Sequence, residues 1–560
     1  MKIGKAYILN LLIISMLSSY SIAQEDSVSN SFLPEIITDN VKISGGIGGM
    51  STFYNASGVD QQRDPLFWQL NANLNIQVGQ ISIPFSAVVN QQQRSFTQPF
   101  NQYGLSPKYK WITAHMGYRS LKFSDYSLGG NQFLGGGIEL NPEKGIVRGK
   151  VLYGRFAKAV DGYFTDGKVV GEPSFERWGW GGMVEVGTQK NNVGVLLFRA
   201  KDDLNSIVEF AEDATIKPGE NMIFGLTVNQ QITKKLKLDG EIDWSAYTRD
   251  VRVEESVFEG FTYLNNIPLF YANSTSSFNK AIRGELSYNE KKYKFGLAYR
   301  RVDPEYLSMG SVYLNNDFED LQAKTSFRML KNKLSLSGSA GFQRNNLNDD
   351  KASEMLRLIS SINANYNISQ SWMVNAVFSN FNSQSQMAIV NTLDTMRYAQ
   401  VTKNASFQTM YAKANDKFRN GLSLGVNYQN AKINGEVNSN LYNANLGYQL
   451  GILKQGLNIT ASLNAAQNIT ETSEVATLGP VLSLNKRFLS GKLSTTAPGS
   501  YLTTFIYGVN AGFISNFKIG SSYKVNRHHA FNLNGSLITR ELSQTNTREF
   551  MLNFGYNYIF

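Results

Sequence analysis

Cysteine is absent from this 560-residue sequence, and histidine occurs three times, at His115, His528 and His529. The first absence excludes a disulfide scaffold, a thiolate metal site, a cysteine nucleophile and a lipidated N-terminal cysteine. The second removes the usual residues of metal and acid–base chemistry. Charge is also scarce, at 18% of residues against about 25% in soluble domains. Beyond the N-terminal leader no stretch approaches the ~18 uninterrupted apolar residues of a membrane helix, which excludes a helical membrane protein. Aromatic residues are plentiful, with 28 Tyr and 34 Phe, too many for a disordered chain. Mean hydropathy is nevertheless −0.26. The apolar residues are therefore diluted among polar ones.

The N-terminus carries Lys2 and Lys5, an apolar run from Ala6 to about Leu17, and Ser21-Ile22-Ala23 before Gln24. A basic start, a short apolar stretch and small residues before the cut define a secretory signal peptide over 1–23. Residues 24–40 are then expected to form a short periplasmic segment, and 41–560 the body of the protein.

From Val41 onward, segments of about ten alternating residues are separated by turns. Leu66, Trp68, Leu70, Ala72, Leu74, Ile76 and Val78 alternate with Phe67, Gln69, Asn71, Asn73, Asn75 and Gln77. Leu457, Ile459, Ala461, Leu463 and Ala465 repeat the pattern. A strand turns successive side chains to opposite faces, so one face is apolar and the other polar. A secreted β-repeat protein could alternate in this way too. The thin apolar face, mixing Gly, Ala and Thr with aromatics, instead matches an outer-membrane barrel, apolar outside and polar inside. The last strand agrees. Phe550, Leu552, Phe554, Tyr556, Tyr558 and Phe560 form an aromatic stripe ending at the C-terminus, which resembles the signal read by the barrel-assembly machinery.

The connections fall into two sets. One is short and basic, as at Lys234-Lys235, Lys291-Lys292 and Lys486-Arg487; the other is acidic and expected to be long, as at Asp202-Asp203, Asp317 to Asp320, Glu471 with Glu474, and Glu541. Short turns mark the periplasmic side of a barrel, so both termini are expected there. A direct tally gives an odd number of strands. Assigning 92–131 to a loop or lumenal insertion without a net crossing restores an even one. The expectation is all-β: a transmembrane antiparallel barrel of about 24 strands, within a range of 22–26.

A lumen this wide needs filling. Only 24–40 precede the barrel, which disfavours a transporter with a dedicated plug domain, and a chain ending on a strand leaves no place for an appended peptidoglycan-binding domain. The filling is sought in 92–131, whose Phe100, Tyr103, Tyr109, Trp111, Tyr118, Phe123 and Tyr126 suggest a plug, a partner platform or a mini-core against the wall. A second aromatic loop, 252–279, offers Phe258, Phe261, Tyr263, Phe270 and Tyr271 as a surface contact.

Three segments carry a resemblance. Arg301-Val302-Asp303-Pro304-Glu305-Tyr306 with Asn315-Asn316-Asp317, then Phe378 to Ser383, then Gly555-Tyr556-Asn557-Tyr558 resemble parts of large, mostly uncharacterised outer-membrane barrels of the Bacteroidota. The resemblance implies an outer-membrane protein and transfers no catalytic residues.

Chemistry is hard to find. His115 has no serine motif beside it and reads as a wall or loop residue. His528-His529 falls in a basic turn, and Asp349-Asp350 lacks calcium-loop spacing. Basic residues gather in turns, so nucleic acid is not an expected partner. No enzyme activity and no cofactor are expected. The leading expectation is a subunit of a surface-protein assembly, secretion or display complex with outer-membrane or surface lipoprotein partners. Lipopolysaccharide and other outer-membrane lipids would surround it. The alternative is a plugged or gated channel for a solute or hydrophobic molecule.

Overall fold

A computed structural model describes residues 41–560 apart from 62, 92–99, 162, 166–167, 171–172, 208–215, 255–268, 312, 349–355, 386–397, 434–435 and 544. The expected signal peptide, the 24–40 segment and the acidic pair Asp349-Asp350 lie outside the described residues. The described chain forms one antiparallel sheet that closes on itself. Val41–Ser57 pairs with Leu66–Val78 on one side and with the last strand, Thr545–Ile559, on the other. Among the described residues the sheet holds 27 hydrogen-bonded segments. Two of these, Gln102–Leu105 and Lys108–Tyr109, are halves of one strand broken at Ser106-Pro107. The wall therefore has 26 strands, at the upper end of the expected range.

The difference from 24 comes from 92–131, and it corrects the expected insertion. Gln102–Tyr109 pairs with Ile81–Asn90 and then with Ile112–Lys122, which pairs with Gly129–Leu140. These are two wall strands. Glycines, a proline and a bulge interrupt their alternation, so the period-two signal is too weak to show them. Between Gln102 and Asn131 the turn Phe123–Leu128 leaves the wall.

Polar-and-apolar alternation holds around most of the barrel. Leu446 and Leu463 face each other on the outer surface, both about half exposed, while their neighbours Asn445 and Asn464 hydrogen-bond inside. One sector departs from it. In Asn191–Asp203, Val193 and Val195 lie outside, yet Leu196, Phe198 and Ala200 are fully buried inside. Here both faces are apolar, because the lumen beside this sector is packed rather than wet.

The connections beside Val41 and Phe560 are uniformly short. At the other rim they are long only over part of the circumference, as in 249–275 and 303–317. Toward the C-terminus that rim shrinks to Glu471–Ser473 and Tyr507–Gly508, and Glu474 and Glu541, expected in loops, lie within strands Glu474–Phe488 and His529–Leu542. The later strands are themselves long, as in Glu436–Ile452 with 17 residues, well past the 9–11 that cross a bilayer.

Candidate functional site: a lumenal latch of two inward loops

The packed sector is built by two connections that fold into the barrel. The first is the turn Phe123–Leu128, closed by a backbone hydrogen bond from Phe123 to Leu128 at 3.0 Å. Its apolar ends drop into a cluster with Phe133, Phe156, Leu196, Phe198, Ile223 and Met309. Burying each such side chain contributes about 1.5–3 kcal/mol. Glycine makes the room. A Cβ at Gly181 would stand 2.8 Å from the Phe123 ring, and one at Gly310 would stand 2.8 Å from the Phe198 ring.

Between those apolar ends, the polar residues of the turn meet strand Leu236–Thr248. One Glu241 carboxylate oxygen accepts the backbone N–H groups of Asp125 (2.9 Å) and Tyr126 (3.2 Å). The other oxygen accepts from Arg283 at 3.1 Å, and Arg283 also pairs with Asp125 at 3.2 Å. The Ser124 hydroxyl donates to Asp243 at 2.7 Å. Burial would raise the Asp125 pKa. Hydrogen bonding from Lys122 and the Arg283 charge outweigh it and hold that carboxyl below its ordinary range.

The second inward connection is 303–317, which docks on the first. Tyr306 is almost fully buried, and its hydroxyl donates to the Tyr126 carbonyl at 3.0 Å. The Ser308 hydroxyl donates to the Ser127 carbonyl, and Gly129 N–H to the Gly310 carbonyl at 3.3 Å. The wall grips this loop through Asn221, which accepts from Met309 N–H at 3.1 Å, and through Ser245, which donates to the Leu307 carbonyl at 2.6 Å. The Tyr126 and Tyr306 rings meet edge-to-face at 6.4 Å. Burial pushes the Tyr126 phenol up to about 12 and raises that of Tyr306 as well.

The motif that carries the sequence resemblance shapes this second loop. Arg301 pairs with Asp303 at 3.0 Å, Asn316 donates to the Tyr306 carbonyl at 3.1 Å, and Asp317 accepts the Leu347 N–H at 2.9 Å. These contacts fix the conformation of the loop. Glu241, Asp243, Arg283, Asn221 and Ser308 were missed as members of the site. Glu241 and Asp243 sit in an ordinary alternating strand, and nothing local distinguishes them from a wet wall.

The aromatic residues of 92–131 are divided. Phe123 and Tyr126 belong to the latch. Tyr118 is buried in the wall with its ring 6.2 Å from that of Tyr103. Phe100, Tyr103, Tyr109 and Trp111 are exposed on or beside the wall strands and do not join Phe123 and Tyr126 in the latch. In the second aromatic loop, Phe258, Phe261 and Tyr263 lie outside the described residues. Phe270 is buried against Met222, Ala246 and Ala272, whereas Tyr271 is exposed, with the Lys201 ammonium over its ring at 5.7 Å. At the end of the chain, Phe550, Leu552, Phe554, Tyr556 and Tyr558 lie in the closing strand, and Phe560 N–H bonds the Gly45 carbonyl at 3.0 Å. Among the described residues no group of three or more acidic or histidine side chains could hold a metal ion.

Fold and site together define a wide, closed antiparallel barrel with part of its lumen packed by its own loops. No known family matches the chain, and no curated protein does. Among solved structures it is similar to a ferric enterobactin receptor from Pseudomonas aeruginosa, with a TM-score of 0.39 and 10% identity, over 92% of this chain and 80% of that one. It is also similar to the P pilus usher translocation pore (TM-score 0.37, 10% identity, 92% and 98% covered). A copper transporter is a third (TM-score 0.37, 9% identity, 92% and 80% covered). At such scores the fold assignment rests on the strand pairing itself.

Proposed function

We propose that this chain is an integral outer-membrane barrel that conducts a polar solute through a lumen narrowed on one side by its own loops. A belt of exposed outward residues such as Val195, Leu297, Leu446 and Leu463 belongs in lipid, because leaving it in water would cost about 25 cal/mol per Å². The observation that carries conduction is the contrast between sectors. Among the described residues the buried apolar clusters lie on the latch side. Elsewhere the inward faces form ladders of small polar groups: Asn365 with Asn375 at 2.7 Å, Ser339 with Ser361 at 2.9 Å, and Asn485 with Thr496 at 2.6 Å. Such a wall suits hydrated solutes. Two contacts, Glu241 with Arg283 and Ser124 with Asp243, set how far the latch reaches into the path.

Planar-bilayer recording tests this reading. The wild-type barrel should show discrete conductance steps, and Arg283→Ala should enlarge them or make them noisy. Absence of conductance in both proteins would overturn it.

A second reading, a subunit of a surface-protein complex, is favoured by the uneven rim, whose long loops on one side leave a step where a partner could sit. Stoichiometric co-purification of outer-membrane or surface lipoproteins in mild detergent would move the assignment there.

A further inference from the structure

Ser106 and His115 lie nine positions apart with no motif joining them, yet strand pairing sets them side by side. Gly104 pairs with Gly117 and Leu105 with Met116, and the next step along the two strands brings the hydroxyl to the imidazole. The backbone stays in register through the break at Ser106-Pro107, with Ser106 N–H donating to the Pro84 carbonyl at 2.9 Å and Ala114 N–H to the Pro107 carbonyl at 2.9 Å. Its Oγ lies 3.0 Å from His115 Nδ1. On the far side of the ring, the buried His115 Nε2 lies 3.4 Å from Glu139 Oε1, on the next strand, within ion-pair reach but outside hydrogen-bond geometry.

The chemistry of the partners assigns the imidazole proton. A carboxylate can only accept, so Nε2 carries the hydrogen toward Glu139 and Nδ1 is left to accept from the Ser106 hydroxyl. This is the order nucleophile, base, orienting acid, with the two ring nitrogens exchanged relative to the serine-protease arrangement. The imidazole is sheltered, its side chain 12% exposed. The serine opens onto a cavity of about 600 Å³ whose lining includes Asn73, Asn75, Ser86 and Arg119. Arg119 donates to Ser86 at 2.8 Å, and its Nε has no partner among the described residues. That nitrogen is itself buried, so Arg119 contributes its positive charge to the cavity wall rather than an open donor.

We propose that Ser106, His115 and Glu139 form a lumenal acyl-transfer site that hydrolyses short-chain carboxylic esters of polar alcohols. Ser106 Oγ attacks the acyl carbon while its proton passes to His115 Nδ1. The bond from the acyl carbon to the alcohol oxygen breaks, and that oxygen takes the proton from Nδ1. Water then attacks the acyl-serine and gives a proton to Nδ1. The serine oxygen leaves and recovers that proton, releasing the acid. Glu139 is a positioning residue, holding the tautomer and offsetting the charge on the ring. The asparagine and serine lining favours a hydroxylated alcohol portion over a lipid one. This inference does not depend on conduction, only on water reaching the cavity.

The test uses the full-length barrel in outer-membrane vesicles and a small fluorophosphonate, with the adduct located by mass spectrometry. The expected result is a single adduct on Ser106 and hydrolysis of nitrophenyl acetate. Ser106→Ala should abolish both, and His115→Gln should lower the rate by about 10²–10⁴-fold, with heat-modifiable barrel mobility retained. Glu139→Gln should lower kcat and leave KM unchanged, a split that a purely structural role would not produce. Because the chain has no cysteine, Ser106→Cys reports access through a small methanethiosulfonate. Reactive Cys with an unlabelled wild-type serine would show that Ser106 is not activated and overturn the proposal. An unreactive Cys would show a closed cavity and overturn it equally.

Discussion

The Ser124 hydroxyl donates to the Asp243 carboxylate at 2.7 Å, joining positions 119 apart in the chain. The other carboxylate oxygen, Oδ1, is buried with no hydrogen-bond partner among the described residues. Removing the hydroxyl therefore strips a group that is already short of donors. Ser124→Ala is expected to cost about 1–3 kcal/mol locally. Amide exchange at Asp125 and Tyr126 should speed up by tenfold or more, while exchange in strands such as Glu436–Ile452 stays unchanged. Equal protection in the variant would mean that the apolar ends of the turn hold it alone.

Gly225 lies across the strand pair from Asp243, and a Cβ there would stand 1.7 Å from Asp243 Oδ1. Gly225→Ala should therefore displace the carboxylate and destabilise the sector by about 1–3 kcal/mol. Gly284→Ala is the matched control, since a Cβ there meets nothing within 4 Å. Urea-dependent loss of the heat-modifiable band should shift for the first variant and hardly move for the second.

The two wall faces should respond oppositely to charge. Leu297 is half exposed on the outer belt, and Asn445 lies inside. Leu297→Arg places a cation in lipid at about 2–4 kcal/mol near the midplane and should lower the assembled fraction. Asn445→Arg should assemble normally and alter only ion selectivity. Similar assembly of both variants would contradict the membrane orientation.

Tyr126 predicts an alkaline limit to the latch. Its phenol, ordinarily near 10, is raised to about 12 because burial penalises the phenolate. A raised value in the folded state means that its contribution is fully present below the unfolded value. It is lost as pH climbs through the folded one, between about 10 and about 12. Ultraviolet titration of wild type against Tyr126→Phe should show a missing phenol that ionises late. If the difference titrates near 10, the turn does not bury that ring.

Much of the barrel was legible because strand faces are local. Alternation from Leu66 to Val78 needs no knowledge of its neighbours, and the stripe from Phe550 to Phe560 marks the closing strand unaided. Gln102–Tyr109 and Ile112–Lys122 were not legible as wall, since Gly104, Pro107 and the bulge between Ser120 and Lys122 break the period that would have shown them.

The same division separates what the chain by itself determined from what the fold decided. Composition and period-two patterning determined an all-β barrel of roughly this width, because side-chain direction along a strand is a property of the backbone. Which residues meet inside it is set by strand order and register over separations of a hundred residues or more. Only the closed sheet brought Ser124 to Asp243 and Tyr306 to Tyr126, while the register of adjacent strands brought the Ser106 hydroxyl to an imidazole backed by Glu139. Ser106, Ser124, Glu139 and Asp243 are unremarked in sequence, since a polar side chain facing a wet lumen and one facing a partner are spelled alike.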